Sequence, residues 1–301
     1  MILAVIGPTA AGKTDVSIEL ARRLGAEIVG CDSMQVYRGL GALATQPTAA
    51  QRAAAPHHLI DCLEPTELCN AGRYRTLALS ALSEIQRRGR SALIVGGTGL
   101  YLKALMDGLC EAPPSDAAIR ARLSEELEAR GREALYEEAA RIDPIWAARE
   151  DARNPQRLVR ALEVYRLSGR PLSSFWGAST ESGVAMTVVG MERSREDLYG
   201  RINRRVERMI RDEEVLEEAR RVRGLALSRT ARQVHGLRFL EAYLDGLASM
   251  EETTARWQQQ VRNYAKRQMT WFRAESRIRW VPVAPDEPVE SIAPRLLEGW
   301  R

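Results

Sequence analysis

Short apolar runs alternate with helical spacing over the N-terminal part of the chain. Runs at residues 2–6, 26–31 and 91–95 predict strands, and the last is continuously apolar, as central strands of parallel sheets are. Between them, apolar positions within residues 15–24 and 71–88 recur every three or four residues, which predicts helices. This alternation of strand, helix and strand is typical of a doubly wound α/β fold with a parallel sheet.

The pattern changes in the middle of the chain. Residues 114–183 have helical spacing and high charge, which predicts an inserted all-helical subdomain. An apolar run at residues 186–191 predicts a strand that returns to the sheet, and long helices follow it. We therefore expect residues 1–113 and 184–301 to form an α/β core with C-terminal helices. A segment rich in Ala, Thr, Pro and Gly, residues 40–56, predicts exposed surface.

Composition narrows the class of protein. The chain has 301 residues, 45% of them hydrophobic, which is enough for a full core in one large or two modest domains. A net charge of +4 mildly favours an anionic partner. The four cysteines form no C-x-x-C pair, which argues against a zinc ribbon or a disulfide framework. No run approaches the roughly 18 apolar residues of a membrane span, so we expect a soluble cytoplasmic protein with no membrane partner.

A glycine-rich turn separates the first predicted strand from the first predicted helix. It fits the phosphate-binding pattern G-x-x-x-x-G-K-[ST] and ends in Lys13 and Thr14. Its glycines free backbone amides to surround phosphate oxygens, Lys13 adds positive charge, and the Thr14 hydroxyl can ligate Mg²⁺. The alternative is an ordinary glycine turn, but the flanking strand and helix favour an oligophosphate at the helix start. The predicted site comprises Gly7, Pro8, Thr9, Ala10, Ala11, Gly12, Lys13 and Thr14.

Polar residues also follow the other predicted strands. Asp32 comes after the second strand, at the edge where open α/β sheets bind ligands, so its carboxylate is expected to face the phosphate turn and accept a proton. The alternative role for Asp32 is a helix cap. The next strand ends in Gly96 and Gly97 rather than in an acid for Mg²⁺ and water, which argues against a hydrolytic motor. Thr98 either offers a hydroxyl to this cleft or belongs to a tight turn.

Two basic stripes recur at helical spacing in the C-terminal half. One comprises Arg201, Arg204, Arg205 and Arg208, and the other comprises Arg262, Lys266 and Arg273 with Trp271 and Phe272 interleaved. Guanidinium groups suit phosphodiesters and aromatic rings stack on unpaired bases, so a nucleic-acid interface is one interpretation. A solvated charged face is the other. The adjacent His57 and His58 have no partners at metal-ligand spacing and favour local hydrogen bonding.

Six segments carry a resemblance to a known family. They read GPTAAGKT at residues 7–14, DSMQVYRG at 32–39, HHLID at 57–61, VGGTGLY at 95–101, NPQRLVRALE at 154–163 and AKRQMTWFR at 265–273. Together they resemble bacterial tRNA dimethylallyltransferases over nearly the whole chain. Such enzymes transfer a dimethylallyl group from dimethylallyl diphosphate to the exocyclic N6 of the adenosine 3′-adjacent to the anticodon (position 37) and release diphosphate. The resemblance implies a P-loop NTPase-like core, Mg²⁺ as cofactor and the tRNA anticodon stem-loop as partner, and we expect a monomer.

The resemblance also assigns roles to single residues. It implies that Asp32, Lys13 and Thr14 are catalytic, that residues 7–14 bind the diphosphate, that Thr14 holds the metal, and that Asp32 engages the adenine amine. It implies tRNA contacts, some within the helical insert, from Asp32, Ser33, Met34, Gln35, Thr98, Arg120, Gln156, Arg157, Leu158, Val159, Arg160, Gln233, Val234, His235, Gly236, Leu237, Arg238, Lys266, Arg267, Gln268, Met269, Thr270, Trp271, Phe272 and Arg273.

The chain departs from the family pattern in three places. LGALATQP at residues 40–47 stands where the family usually has MDIGTAKP, HGL at 235–237 replaces IGY, and a usual glycine is replaced within 212–214. These departures leave local RNA contacts open but remove no catalytic residue. Two other functions fit the phosphate turn: a small-molecule kinase, which has no need of the basic segment 266–273, and a nucleic-acid-binding module without turnover.

Overall fold

The computed structural model describes residues 2–149, 152–177 and 183–300. Two compact units divide the chain, one made of Met1–Met106 with Val184–Arg301 and the other of Asp107–Gly183. The second unit starts seven residues before residue 114, where the helical insert was expected to begin. Among the residues described, there is no helix both long enough and apolar enough to cross a membrane.

One parallel sheet forms the centre of the first unit. Its strands in the described chain are β1 (Ile2–Ile6), β2 (Glu27–Cys31), β3 (His57–His58), β4 (Ala92–Gly96), β5 (Thr187–Glu192) and β6 (Ile278–Pro282). They lie in the order β3-β2-β4-β1-β5-β6, and every neighbouring pair is parallel, which confirms the predicted α/β class. The register pairs Gly96 with both Ile6 and Cys31. The turns that follow β1, β2 and β4 therefore start at the same edge.

Helices lie between and after the strands along the described chain. In chain order they are α1 (Lys13–Leu24), α2 (Ala49–Ala54), α3 (Ala71–Arg87), α4 (Gly99–Asp107), α5 (Ala117–Ile142), α6 (Pro144–Ala147), α7 (Pro155–Ser168), α8 (Arg195–Arg211), α9 (Glu214–Val222), α10 (Leu237–Leu244), α11 (Met250–Arg273) and α12 (Val289–Leu297). Of these, α5, α6 and α7 belong to the second unit. Short 3₁₀ turns lie at Leu172–Phe175 and Ala231–Gln233.

The two faces of the sheet are buried by different helices. Successive side chains of a strand point to opposite faces. Leu3 and Val5 of β1 pack with the apolar side chains of α1 and α12. Ala4 and Ile6 belong to the larger core built from α3, α8 and α11. Helices on both faces are the arrangement that a doubly wound sheet requires.

The described residues of the second unit form helices around their own small core. Helix α5 is interrupted at Gly131, whose backbone is left-handed (φ 79°). The carboxylate of Glu163 is fully buried and accepts hydrogen bonds from Arg120 Nε at 2.9 Å, from Arg160 Nη1 at 2.7 Å and from the Asp116 amide at 2.9 Å. A buried charge persists because it is paired and hydrogen-bonded in this way.

The prediction of exposed surface at residues 40–56 is wrong in part. Leu40 and Leu43 are buried, with exposed fractions of 0% and 4%. Glu218 of α9 holds this segment, since its carboxylate accepts hydrogen bonds from the amides of Ala42 at 3.0 Å and Leu43 at 2.8 Å. This part of the segment therefore packs with α9, which is distant in sequence.

The two adjacent histidines are hydrogen-bonded, as the sequence predicts. His57 Nδ1 lies 2.7 Å from the Ala55 carbonyl oxygen, which is a local contact. His58 Nε2 lies 2.7 Å from Oε2 of Glu27, a longer-range contact to β2. No group of three or more metal-ligating side chains occurs among the described residues.

Candidate active site

The turn after β1 wraps around the Lys13 ammonium. Lys13 Nζ donates a hydrogen bond to the Pro8 carbonyl oxygen at 2.8 Å, and the Ala11 amide donates to the same oxygen at 3.3 Å. Gly12 has a left-handed backbone (φ 93°) immediately before α1, a conformation that glycine adopts without strain. The amides of Gly12, Lys13 and Thr14 have no hydrogen-bond partner within the described chain. They are available to an anion at the helix start.

A cavity of about 430 Å³ opens over this turn. Its walls include the cations Lys13, Arg201, Arg204, Arg205 and Arg208 and the carboxylates Asp15 and Asp32. Thr14 and Gln268 also line it. Five cations against two carboxylates give the cavity an excess of positive charge, which favours a multiply charged anion of the size that such pockets bind.

Two arginines of α8 contact the turn directly. Arg201 Nε donates to the Ala10 carbonyl oxygen at 2.9 Å, and Arg205 Nη2 donates to Thr9 Oγ1 at 2.7 Å. The first basic stripe therefore does lie on one helix face, but that face meets the phosphate turn. Sequence reasoning assigned it to nucleic acid or solvent and so missed its place in this cavity.

Arg193 is a further residue that sequence reasoning missed. It follows β5, is 9% exposed and donates from Nε to the Ala11 carbonyl oxygen at 2.8 Å. Its Nη1 pairs with Asp197 Oδ2 at 2.9 Å. The only signal in the sequence is an arginine at the carboxyl end of a predicted strand. Arg193 thus stabilises the turn through the Ala11 carbonyl and is not among the described residues that line the cavity.

Burial lowers the pKa of two cations, Lys13 and Arg205, that lie at the turn. It lowers the pKa of Lys13 to about 8, an effect that Asp32 opposes and Arg205 reinforces. Burial also lowers the pKa of Arg205 to about 10. The site therefore holds desolvated positive charge, and a bound oligophosphate would stabilise the protonated form of Lys13.

Asp32 combines the two roles that the sequence left open. Its Oδ1 accepts hydrogen bonds from the amides of Met34 at 2.8 Å and Gln35 at 3.3 Å, so it caps the turn after β2. Its Oδ2 accepts no hydrogen bond from the described residues. Asp32 also lines the cationic cavity with Lys13 and Thr14. One oxygen orients the side chain while the other is free to take a proton.

Thr98, in the turn that follows β4, supports this arrangement. Its Oγ1 accepts a hydrogen bond from the Ser33 amide at 3.0 Å, and the amides of Gly97 and Thr98 donate to the Cys31 carbonyl oxygen at 3.2 and 3.1 Å. The Thr98 hydroxyl therefore fixes the turn that carries Asp32. It belongs to a tight turn and is not among the described residues that line the cationic cavity.

A second cavity, of about 50 Å³, adjoins the first. Both cavities are lined by Thr9, Asp32, Thr45 and Arg205. The other walls of the second cavity are Met34, Leu43, Ala44, Val206, Met209, Val234, His235, Trp257, Val261 and Tyr264. Most of these side chains are apolar, so this cavity suits a small hydrocarbon group attached to an anion in the first cavity.

His235 is the exception among these walls. Its Nδ1 is buried and has no hydrogen-bond partner among the described residues. Its ring lies 4.4 Å from the ring of Tyr264, between centroids. Burial, followed by the charges of nearby arginines, lowers the pKa of His235 to about 4, so the imidazole is neutral near pH 7.

The residues for which the resemblance implies tRNA contact differ in solvent exposure. In the second unit, Gln156 and Arg157 are exposed, Arg120 and Arg160 pair with Glu163, and Leu158 and Val159 are buried. In the first unit, Gln233, Arg238, Lys266, Arg267, Thr270 and Arg273 are exposed, Met269 and Trp271 are half-buried, and Val234, Gly236, Leu237, Gln268 and Phe272 are buried. Side chains such as Leu158 and Phe272 serve packing, whereas the exposed set offers a polar and basic surface.

Comparisons with known proteins decide the family. A family model described as IPP transferase matches residues 35–275, and one described as Isopentenyl transferase matches residues 1–60. The chain belongs to the IPP transferase family. A tRNA dimethylallyltransferase of Geobacter metallireducens is 41% identical over 284 residues, which cover 93% of this chain and 92% of that protein. One of Anaeromyxobacter sp. (strain K) is 42% identical over 300 residues, 99% of this chain and 97% of the relative.

Solved structures of this family have the same fold. The full-length tRNA isopentenylpyrophosphate transferase of Bacillus halodurans matches with a TM-score of 0.71 and 34% identity, over 99% of this chain and 95% of that one. A eukaryotic dimethylallyltransferase acting on tRNA matches with a TM-score of 0.82 over 98% of this chain and 76% of that one. At 23% identity, this second likeness concerns the fold alone.

Proposed function

We propose that this chain is a tRNA dimethylallyltransferase. It transfers the dimethylallyl group of dimethylallyl diphosphate to N6 of the adenosine 3′-adjacent to the anticodon, position 37 of the tRNA, and releases diphosphate. The observation that carries the proposal is the position of Asp32, which lines both the cationic cavity over the turn and the apolar cavity beside it. A carboxylate at that junction can act on a nucleophile that attacks a carbon between the two.

The diphosphate occupies the cationic cavity. The free amides at the start of α1, the Lys13 ammonium and the Arg205 guanidinium surround it there. As the bond between allylic C1 and the phosphate oxygen breaks, its electron pair goes to the diphosphate. These donors are already in place when that negative charge develops, so they stabilise the transition state without reorganising.

The nucleophile is the adenine amine. Its lone pair is delocalised into the ring, so it attacks C1 poorly without help. As the bond between N6 and C1 forms, the N6 proton passes to Asp32 Oδ2, the oxygen not occupied by the turn amides. The hydrogen bonds to Oδ1 hold the carboxylate in that orientation. The adenine reaches the site by leaving its stack, which costs a few kcal/mol and less in a loop than in a duplex.

Mg²⁺ is the metal we propose for this site. The Thr14 hydroxyl lines the cationic cavity beside Lys13, and a site with few protein oxygens fits an ion that keeps several waters and binds substrate phosphates. Thr14 would hold the ion, which when bound neutralises part of the diphosphate charge.

The tRNA anticodon stem-loop is the second substrate in this proposal. Exposed residues of the first unit, including Arg238, Lys266, Arg267 and Arg273, offer phosphate contacts near the carboxyl end of α11 and the start of α10. Exposed Gln156 and Arg157 give the helical unit, residues 114–183 in the predicted division, a polar surface for the same RNA. We place the enzyme in the cytoplasm as a monomer.

A transfer assay tests the function. The protein is incubated with dimethylallyl diphosphate, Mg²⁺ and unmodified tRNA, and the RNA is digested to nucleosides for mass spectrometry. We expect prenylated adenosine from position 37 and free diphosphate. Absence of that nucleoside while ATP is turned over to ADP with a small hydroxylated acceptor would instead identify a kinase. Retention of tRNA without any product, unaffected by Asp32→Ala, would identify a binding module.

A further inference from the structure

One side chain that lines the apolar cavity, Trp257, has little room to move. It belongs to α11 and is 1% exposed. Its indole lies against the backbone of Gly236, where an added Cβ would come within 2.3 Å of Trp257 Cε2. The ring is therefore held between its own helix and the residue that precedes α10. Other walls, such as Met34 and Met209, are flexible side chains that can adjust to a ligand.

The direction of this cavity follows from its lining. Thr9, Asp32 and Arg205 line both cavities and mark the end next to the diphosphate. Trp257 lines only the apolar cavity. A hydrocarbon chain attached to the diphosphate therefore extends away from the residues that line both cavities. It extends towards residues, such as Trp257, that line only the apolar cavity.

The size of the cavity limits that chain. About 50 Å³ is room for roughly three to five water molecules, at about 10–15 Å³ each. A five-carbon group has five heavy atoms, at the upper end of that range, and a ten-carbon group has twice as many. Protein interiors are close-packed, so the longer group would have to displace a wall.

We propose that Trp257 sets the length of the prenyl group that this enzyme accepts. The indole closes the apolar cavity behind a five-carbon unit and excludes longer allylic diphosphates. This inference rests on the proposed function, because it takes the apolar cavity as the site of the transferred group.

The test compares two donors in two proteins. Wild type and Trp257→Leu are each assayed for transfer to tRNA from dimethylallyl diphosphate and from the ten-carbon geranyl diphosphate. We expect the ratio of kcat/KM for the ten-carbon over the five-carbon donor to rise about ten-fold or more in the variant, as hydrophobic pockets discriminate by such factors. The nucleoside mass identifies which group was transferred.

Trp280→Leu is the matched control. Trp280 also packs on a glycine, since a Cβ on Gly190 would lie 2.6 Å from its Cε3, but it is not among the described residues that line either cavity. Both variants lose a packed indole and are expected to lose stability. Only Trp257→Leu should change the donor ratio, and thermal unfolding establishes that each variant is folded.

Ala44→Leu is a second test, in which the apolar cavity is made smaller rather than larger. This substitution does not remove a core side chain. Ala44 lines the apolar cavity only. Added carbon there should weaken binding of a dimethylallyl thiolodiphosphate, measured by calorimetry without tRNA, at least ten-fold more than binding of inorganic diphosphate. Equal weakening of both ligands would overturn the proposal.

Calorimetry also separates this inference from the proposed function. A geranyl thiolodiphosphate should bind Trp257→Leu more tightly than wild type whether or not any tRNA is modified. A folded Trp257→Leu that transfers the five-carbon group with an unchanged donor ratio would overturn the inference alone. A change confined to the KM for tRNA would also overturn it, because the cavity would then hold the base.

Discussion

Gln268 Oε1 accepts a hydrogen bond from the Thr9 amide at 2.8 Å, across 259 positions of sequence. The Nε2 of the same side chain donates to the Gly97 carbonyl oxygen at 2.8 Å. One amide of α11 thus fixes the phosphate turn relative to the end of β4. Gln268 is 6% exposed and lines the cationic cavity, so its two hydrogen bonds hold the phosphate turn in place, and the tRNA contact that the resemblance implies stays a prediction.

Gln268→Glu should weaken diphosphate binding about ten-fold or more. The carboxylate can still accept from Thr9, but it cannot donate to Gly97, and it adds negative charge beside the anion. Calorimetry with dimethylallyl thiolodiphosphate in the absence of tRNA measures the effect. Gln259→Glu places the same charge on an exposed part of α11 and serves as control. Equal affinities for the two variants would contradict a role in holding the turn.

Asp32→Asn should separate catalysis from binding. The amide oxygen can still accept from Met34, so the turn keeps its cap, but the side chain can no longer take the N6 proton. Single-turnover transfer should fall about 10²–10⁴-fold, while affinity for dimethylallyl thiolodiphosphate stays within about three-fold of wild type. If affinity fell as far as the transfer rate, Asp32 would be supporting the diphosphate site.

Lys13 gives diphosphate binding a dependence on pH. Its pKa in the free protein is about 8, and the bound anion favours the charged ammonium. Affinity for dimethylallyl thiolodiphosphate should therefore fall as pH rises above about 8, with one proton taken up on binding. The ligand itself is already fully ionised there, since a second phosphate pKa is about 6. Lys13→Met should bind more weakly and show a flat profile; a slope retained in Lys13→Met would mean that another group titrates.

Arg205 should matter more for the transition state than its neighbours on α8. It contacts Thr9 and lines both cavities, so in the proposed reaction it lies beside the diphosphate oxygen on which charge develops. Arg205→Gln should lower the rate of transfer about 10²–10³-fold, the usual effect of removing one such donor. Arg211→Gln removes the same charge from the exposed end of α8 and should leave the rate within about two-fold.

Local features of this fold are readable in the sequence. The phosphate turn at residues 7–14 joins a strand to a helix, and each part has its own pattern within a few residues. Asp32 could be placed at the same edge because parallel strands align their carboxyl ends. Strands β3 and β6 were not predicted, since two residues carry no periodicity and β6 ends in Pro282.

Tertiary relationships are not readable in this way. Arg205 and Thr9 are 196 positions apart, and the spacing of arginines on α8 shows only that they share a face, not what that face meets. The burial of Leu43 likewise depends on Glu218, which lies 175 positions away. A motif alone implies that Gln268 contacts RNA, and only the packing of α11 shows its hydrogen bonds to Thr9 and Gly97 at the cationic cavity.

His235 should make the protein less stable in mild acid. Its pKa is about 4 in the folded state against an ordinary value of 6.5, because burial disfavours the charged ring. Between these values the unfolded chain binds the proton and the folded chain does not, so stability is complete above about pH 6.5 and falls as pH decreases towards 4. Urea unfolding of wild type and His235→Leu at about pH 7 and about pH 4.5 measures this. Wild type should lose on the order of 2 kcal/mol more than the variant over that interval, since every other titrating group is common to both proteins. Parallel losses would show that the imidazole is already protonated, or solvated, in the folded state.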